Sequence, residues 1–392
     1  MIRKIFIVII LNSAISFAQS PIPPGAKLEK ITSGLLQPEG PVWKDSVGLL
    51  FSDIKANVIY LWSQKDSTLK TYLQHSDSSN GLTFDHEGRL VLTQMELRRV
   101  ALQEKDGSII PLASKFRGKK FNSPNDLVVK SDGSIFFTDP DFNIPFPQTS
   151  ELHFQGIYRI DTSGSIKLLD STFNKPNGIC FSPDEKKLYV NESPLREIYV
   201  WDVIDDSTIA NKKLLYTIPG RDFIDYADGM KVDSAGNIYC TGPTGVWIIS
   251  PEGKYLDKIT MPENPSNCNW GDADGKTLYI TAGKSLYRIR LATVTAVKEH
   301  GSLNIKTYKL YANYPNPFNP STTITFDLSI GQRVKLKIYD ILGKEQETLL
   351  NGYLSAGRHS VTFNAESIPS GVYLYQMQAG NFIQSKKMIL LR

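Results

Sequence analysis

The sequence predicts an all-β chain: a six-bladed β-propeller followed by a small, Ig-like antiparallel β-sandwich. Two observations carry this reading. A strand–turn–strand unit recurs six times between residues 40 and 282. Beyond a proline-rich break, alternating apolar and polar residues return in five further runs. Tyr and Phe, at 18 each among 392 residues, supply side chains that suit pleated surfaces.

The N-terminus reads as an export signal over residues 1–18. Arg3 and Lys4 precede a short apolar stretch from Ile5 to Phe17, and Ser16 and Ala18 place small residues at the −3 and −1 positions of a cleavage site. A membrane anchor needs about 20 apolar residues, and neither this run nor any other is long enough.

The propeller is expected over residues 19–292. Its units cover residues 40–53, 81–94, 126–139, 178–192, 229–242 and 268–282, each an apolar strand, a polar turn and a returning strand. The turns fall near 48, 88, 133, 186, 236 and 275. A third strand follows in most units. A repeat of this size fits a four-stranded blade, which stacks on its neighbours around a channel because it cannot cover both of its faces alone. The segment over 28–36 has the length to complete the last blade.

Alignment of the units exposes a pattern. The residues just before the first strands are Glu39, Asn80, Asn125, Asn177, Asp228 and Asn267, all with a side-chain oxygen and none basic. Equivalent positions of successive blades form a ring about the axis. Asn and Asp before a strand also serve local turns, and register alone leaves that reading level with a hard-cation site such as one for Ca2+. The five His and three Cys show no zinc-ligand spacing.

Charge narrows the partners. The formal charge is +4, with +2 on residues 1–18 and +4 on residues 308–392, which leaves −2 between them. The body lacks the concentrated basic face that phosphate binding needs, so nucleic acid is not an expected partner. Three Cys make no disulfide framework, and Cys180 and Cys240 are expected as buried thiols. No GxSxG motif is present, and no His has a triad context.

The motifs in their order resemble the six-bladed propeller family that includes gluconolactonase, senescence marker protein and luciferin-regenerating enzyme. The stretches are Pro38-Glu39-Gly40-Pro41-Val42-Trp43, Asn80-Gly81-Leu82-Thr83-Phe84-Asp85, Asn122-Ser123-Pro124-Asn125-Asp126-Leu127, Phe137-Thr138-Asp139-Pro140, Lys175-Pro176-Asn177-Gly178 and Ala227-Asp228-Gly229. The resemblance implies a divalent metal held by Glu39, Asn177 and Asp228, with Asn125 on substrate or metal-bound water. Ca2+ is the first expectation, and Zn2+, Mn2+ and Mg2+ stay open. Asn80 and Ser123 join Asn125 as expected substrate contacts. Ser123 stands where some members carry a substrate-holding Arg, and Gln94-Met95-Glu96-Leu97-Arg98-Arg99 keeps the Arg pair of some bacterial relatives but lacks their His.

After a weakly patterned linker over 293–307 comes Tyr314-Pro315-Asn316-Pro317-Phe318-Asn319-Pro320, which is neither helix interior nor central strand. The runs that follow cover 322–328, 333–342, 358–364, 372–379 and 382–391, with Gly343, Gly357, Gly371 and Gly380 as punctuation. Together with Ser370-Gly371-Val372-Tyr373 and Lys386-Lys387, this tail over 308–392 resembles the C-terminal sorting domain of the type IX secretion system. The resemblance implies the type IX machinery as partner, passage across the outer membrane after Sec export, and a secreted or surface-attached protein.

The expected activity is metal-dependent hydrolysis of a sugar lactone such as glucono-1,5-lactone, a reaction on a carboxylic ester bond. The metal polarises the carbonyl and a carboxylate activates water, with Asp228 first and Glu39 as competitor. The alternatives are a non-enzymatic, calcium-stabilised propeller that binds surface glycans or proteins, and a hydrolase of another lactone or ester, since fold does not fix substrate.

Overall fold

The computed structural model describes residues 20–291 except 143, 145, 146 and 206, and residues 308–391 except 314, 329–331, 355, 356, 366, 367 and 381. The expected signal peptide over 1–18 and linker over 293–307 lie outside these residues. The chain divides into two compact units, Met1–Ala296 and Val297–Arg392. No helix occurs among the described residues.

Among the described residues of the first unit are six four-stranded antiparallel sheets. Their first strands are Pro38–Lys44, Ser79–Phe84, Leu127–Val129, Pro176–Phe181, Met230–Val232 and Pro265–Gly271. These strands touch one another in cyclic order, the sixth returning to the first, so they form the inner wall of a ring. The sixth sheet takes its outer strand from the other end of the unit. Leu28–Ser33 pairs antiparallel with Ser285–Arg290, Leu28 opposite Ile289 and Ser33 opposite Ser285. The two ends of the unit are thereby stitched together.

The second strands are Gly48–Asp53, Leu90–Gln94, Ile135–Asp139, Lys187–Glu192, Ile238–Gly242 and Thr277–Ala282, and all but Lys187 within them is buried. Their sequences (LLF, LVL, IFF, LYV, IYC, LYI) do not alternate, because neighbouring sheets cover both faces. Six apolar clusters fill the spaces between successive sheets. Val91 and Leu102 meet Phe137 and Tyr158 between the second and third, and Leu49 and Phe51 meet Tyr279 and Leu286 where the sixth sheet meets the first.

Glycine sets how closely the inner strands approach. A Cβ on Gly178 would stand 2.5 Å from Asp228 O and 2.8 Å from Met230 N. One on Gly81 would stand 2.7 Å from Asn125 O. Contacts this short have no room for a side chain. Gly40, Gly81, Gly178 and Gly229 each directly follow a ring residue, so they let neighbouring strands crowd together where the ring oxygens sit.

In the second unit, Lys309–Leu310, Ser321–Leu328 and Gly357–Asn364 form one antiparallel sheet, and Gln332–Asp340, Glu345–Leu354, Gly371–Ala379 and Phe382–Leu390 form another. Ile324 and Phe326 of the first share a core with Leu336, Ile338, Tyr375 and Met377 of the second. Two of these strands were not expected. Lys309–Leu310 is only two residues long, and the residues Glu345-Gln346-Glu347-Thr348-Leu349-Leu350 lack period-2 alternation.

Candidate metal and active site

Five ring residues, Glu39, Asn80, Asn125, Asn177 and Asp228, line one cavity of about 210 Å3. Gln37, Ile54, Phe142, Ser193 and Tyr226 complete its wall. The sixth, Asn267, acts on the site through Glu39: its Nδ2 donates to Glu39 Oε2 at 3.0 Å, and the Gly40 N–H donates to the same oxygen at 2.8 Å. Asn267 itself is held by the Cys268 N–H, which donates to its Oδ1 at 2.8 Å.

Ser123 is placed elsewhere. It is fully buried, and its N–H donates to Asp139 Oδ1 at 2.8 Å. It is not among the residues that line the cavity, its Oγ is buried without a protein partner, and through its N–H it fixes the loop that carries Asn125.

A second ring of polar side chains supports the first. Ser52 Oγ donates to Asn80 O at 2.9 Å, Thr93 Oγ1 to Asn125 O at 2.8 Å and Thr138 Oγ1 to Asn177 O at 2.8 Å. Asn191 Nδ2 donates to Asp228 O, and Thr241 Oγ1 to Ser266 O at 2.9 Å. Each bond runs from the penultimate residue of a second strand to a backbone carbonyl of a ring residue, or in the last case its neighbour, in or just before the inner strand of the next sheet, so the ring positions share one backbone frame. The signal was legible in the sequence, since positions 52, 93, 138, 191, 241 and 281 are Ser, Thr, Thr, Asn, Thr and Thr.

Carboxylates at the ends of second strands latch the incoming loops. Asp53 accepts the N–H groups of Leu36 and Gln37 at 2.9 and 2.8 Å. Asp139 accepts those of Asn122 and Ser123, both at 2.8 Å, and Glu192 those of Asn174 and Lys175, both at 2.9 Å.

Two buried arginines hold the longer loops. Arg98, 1% exposed, donates through Nε to Phe121 O at 2.6 Å and Asn122 O at 3.1 Å. It therefore clamps the loop that carries Asn125. Arg196 donates to Ile218 O at 3.0 Å, Pro194 O at 3.1 Å and Gly220 O at 3.1 Å, and pairs with Asp222 at 2.6 Å. That loop carries Tyr226 and Asp228. Arg196→Met strands these acceptors, at roughly 1–3 kcal/mol for each one left buried. The variant is expected to unfold at lower temperature and to expose residues 218–227 to limited proteolysis. A wild-type cleavage pattern would count against the clamp.

The electrostatics follow from convergence. Burial pushes the Glu39 carboxyl up to about 7, against which the Asn267 and Gly40 hydrogen bonds work. Burial also holds Asp228 well above the usual carboxylate range, and the nearby charge of Glu39 adds to it. Two desolvated carboxylates with no cation between them are poorly stabilised as ions. Asn80 Oδ1 and Asn177 Oδ1 are buried acceptors without a protein partner. Glu39, Asp228 and the Asn177 oxygen together fit a hard divalent cation, which accepts carboxylate and amide oxygens at flexible coordination numbers, and the Asn80 oxygen is left free beside them for a ligand. Among the described residues no three His, Cys, Asp or Glu side chains gather as a metal-binding group. The donor set here mixes acid and amide, as oxygen-seeking ions accept.

The fold is a closed ring of four-stranded sheets with an oxygen-lined cavity at its inner wall, and comparison with known proteins narrows the class. Residues 37–284 match the SMP-30/gluconolactonase/LRE-like region, and the chain belongs to that family. The gluconolactonase of Zymomonas mobilis is 30% identical over 294 residues, covering 68% of this chain and 82% of the relative. A pentonolactonase of Haloferax volcanii is 25% identical over 251 residues, covering 62% of this chain and 80% of its own. The solved structure of a gluconolactonase from Xanthomonas campestris matches with a TM-score of 0.64 at 30% identity, covering 69% of this chain and 91% of that one. Residues 312–391 match the secretion system C-terminal sorting domain. This tail marks the chain for export, to be secreted or attached at the cell surface. No helix among the described residues is long and apolar enough to cross a membrane.

Proposed function

We propose that this protein is an exported, metal-dependent lactonase acting on a sugar lactone such as glucono-1,5-lactone. The observation that carries the reading is the convergence of Glu39, Asn177 and Asp228, with Asn80 and Asn125, on one cavity. The six sheets are the blades of a β-propeller over 19–292, and the second unit is an Ig-like sandwich used by the type IX machinery. Membership of a family with named lactonases supports the reaction class.

Glu39, Asn177 and Asp228 would hold the cation, with Ca2+ favoured by the mix of carboxylate and amide oxygens. When bound, such an ion supplies Lewis acidity toward a lactone carbonyl oxygen. The chain supplies the rest. Asp228 takes the proton of the attacking water, because of the two desolvated carboxylates it is the more accessible at the cavity wall, whereas Glu39 is only 4% exposed. Glu39 is pinned by Asn267 and Gly40 and keeps its orientation through the reaction. Asn80 and Asn125 orient the carbonyl and ring hydroxyls. Ile54, Phe142 and Tyr226 limit the water that reaches the cavity.

The test is hydrolysis of a lactone panel by the full chain, after chelation and after return of single metals. Activity on glucono-1,5-lactone is expected to vanish on chelation and to return with Ca2+. Hydrolysis indifferent to chelation would remove the metal from the reading. A chain that Ca2+ stabilises but that opens no lactone or ester would point to a binding propeller instead.

A further inference from the structure

Of the six residues that follow the ring positions, four are glycine and the other two are Asp126 and Cys268. Asp126 is the one charged side chain in this set. It is 2% exposed. Its Oδ1 accepts the Leu127 N–H at 2.9 Å, and its Oδ2 accepts from Lys231 Nζ at 3.3 Å. Lys231 also donates to Met230 O at 3.1 Å.

The partners come from different parts of the ring. Asp126 leads into the inner strand of the third sheet, and Lys231 lies on the inner strand of the fifth. The fourth sheet stands between them in cyclic order, so the pair spans the interior of the ring past that sheet's inner strand. Neither residue lines the cavity. Asp126 directly follows the cavity-lining Asn125, and Lys231 lies three residues beyond Asp228, so the ion pair sits next to the residues that line the cavity.

It is nonetheless felt in the cavity. Asp126 raises both the Glu39 and the Asp228 carboxyls, and Lys231 lowers that of Glu39. The interior thus holds three carboxylates and one ammonium. Without the ammonium, one divalent cation would leave the group a full charge short of neutrality.

We propose that Lys231 is a positioning residue that neutralises Asp126 across the ring, leaving around the cavity the −2 charge that one divalent cation balances. The proposal rests on the metal-dependent reading above. It makes the two partners act on metal affinity with opposite signs, which a merely structural ion pair would not do.

The experiment is calorimetric titration of the chelated full chain with Ca2+, for wild type, Asp126→Asn, Lys231→Met, Lys231→Arg and the double variant Asp126→Asn/Lys231→Met. Asp126→Asn is expected to weaken Ca2+ binding by about tenfold and Lys231→Met to tighten it by about tenfold, within the range of direct coupling between neighbouring charges. The double variant is expected within about threefold of wild type, and Lys231→Arg likewise. If Lys231→Met does not fold alone, recovery of affinity from Asp126→Asn to the double variant carries the comparison. Shifts in the same direction for both single variants, or no shift in either, overturn the proposal while leaving the metal site standing. A wild-type chain that binds no divalent ion overturns both.

Discussion

Asp228→Asn is expected to lower kcat/KM for glucono-1,5-lactone by about 10^3-fold, within the span of general-base and oxyanion-stabilising contributions. Glu39→Gln is expected to cost a comparable factor. Both variants are also expected to melt at higher temperature than wild type in chelator, since each removes one of two buried carboxylates that burial and mutual repulsion disfavour as ions. The rise in melting temperature on adding Ca2+ should shrink in both, because the site loses half of the charge on its Glu39–Asp228 pair. The two readouts move in opposite directions, which separates a functional site from a packing position: lost activity there would travel with lost stability. The measurement is steady-state hydrolysis beside thermal unfolding, with and without Ca2+. Full activity in either variant would remove that residue from the mechanism. A lower melting temperature in chelator would mean that its carboxylate serves the fold.

The parts legible in the sequence were those encoded by repetition. Six apolar–turn–apolar units give six sheets, and the position before each first strand gives a ring of oxygens, because symmetry converts register into place. The oxygen residues of five sheets do meet in one cavity. How Ser123 is held was not legible, because proximity in sequence to Asn125 says nothing about which carboxylate fixes the loop; in the fold it is Asp139, through the Ser123 N–H. Nothing local to Arg98-Arg99 says what the pair holds; in the fold Arg98 is enclosed and its Nε donates to the backbone carbonyls of Phe121 and Asn122. The supporting hydroxyls of Ser52, Thr93 and Thr138 were visible as a column in the aligned units. Their meaning was not, since a Ser or Thr in a strand is unremarkable until the partner carbonyl in the next sheet is known. Lys231 and Asp126 lie 105 residues apart, and no local pattern joins them.

In the chelated chain, stability is expected to fall as pH rises from about 4.5 to about 7, and Glu39→Gln is expected to flatten that fall. The Glu39 carboxyl moves from 4.5 to about 7 on folding. Between these values the native state keeps a proton that the unfolded state gives up, so raising the pH favours unfolding. The loss for this one group is on the order of 3 kcal/mol and is complete above about pH 7. Asp228, raised in the same sense, steepens the trend. Glu263 works the other way, since the Tyr287 hydroxyl and its other partners pull it down to about 2; its contribution is lost as pH falls from about 4.5 toward 2, below the window in question. Bound Ca2+ should invert the slope. The cation needs both carboxylates ionised, so protons compete with it below about pH 7, and the stabilisation by a fixed excess of Ca2+ should grow as pH rises through that value. Denaturant unfolding at pH 5, 6, 7 and 8, in chelator and in Ca2+, reads both slopes for wild type and Glu39→Gln. Parallel curves for the two proteins in chelator would mean that Glu39 keeps an ordinary carboxyl in the folded chain, and with it would go the view that this cavity stores repulsion for a cation to relieve.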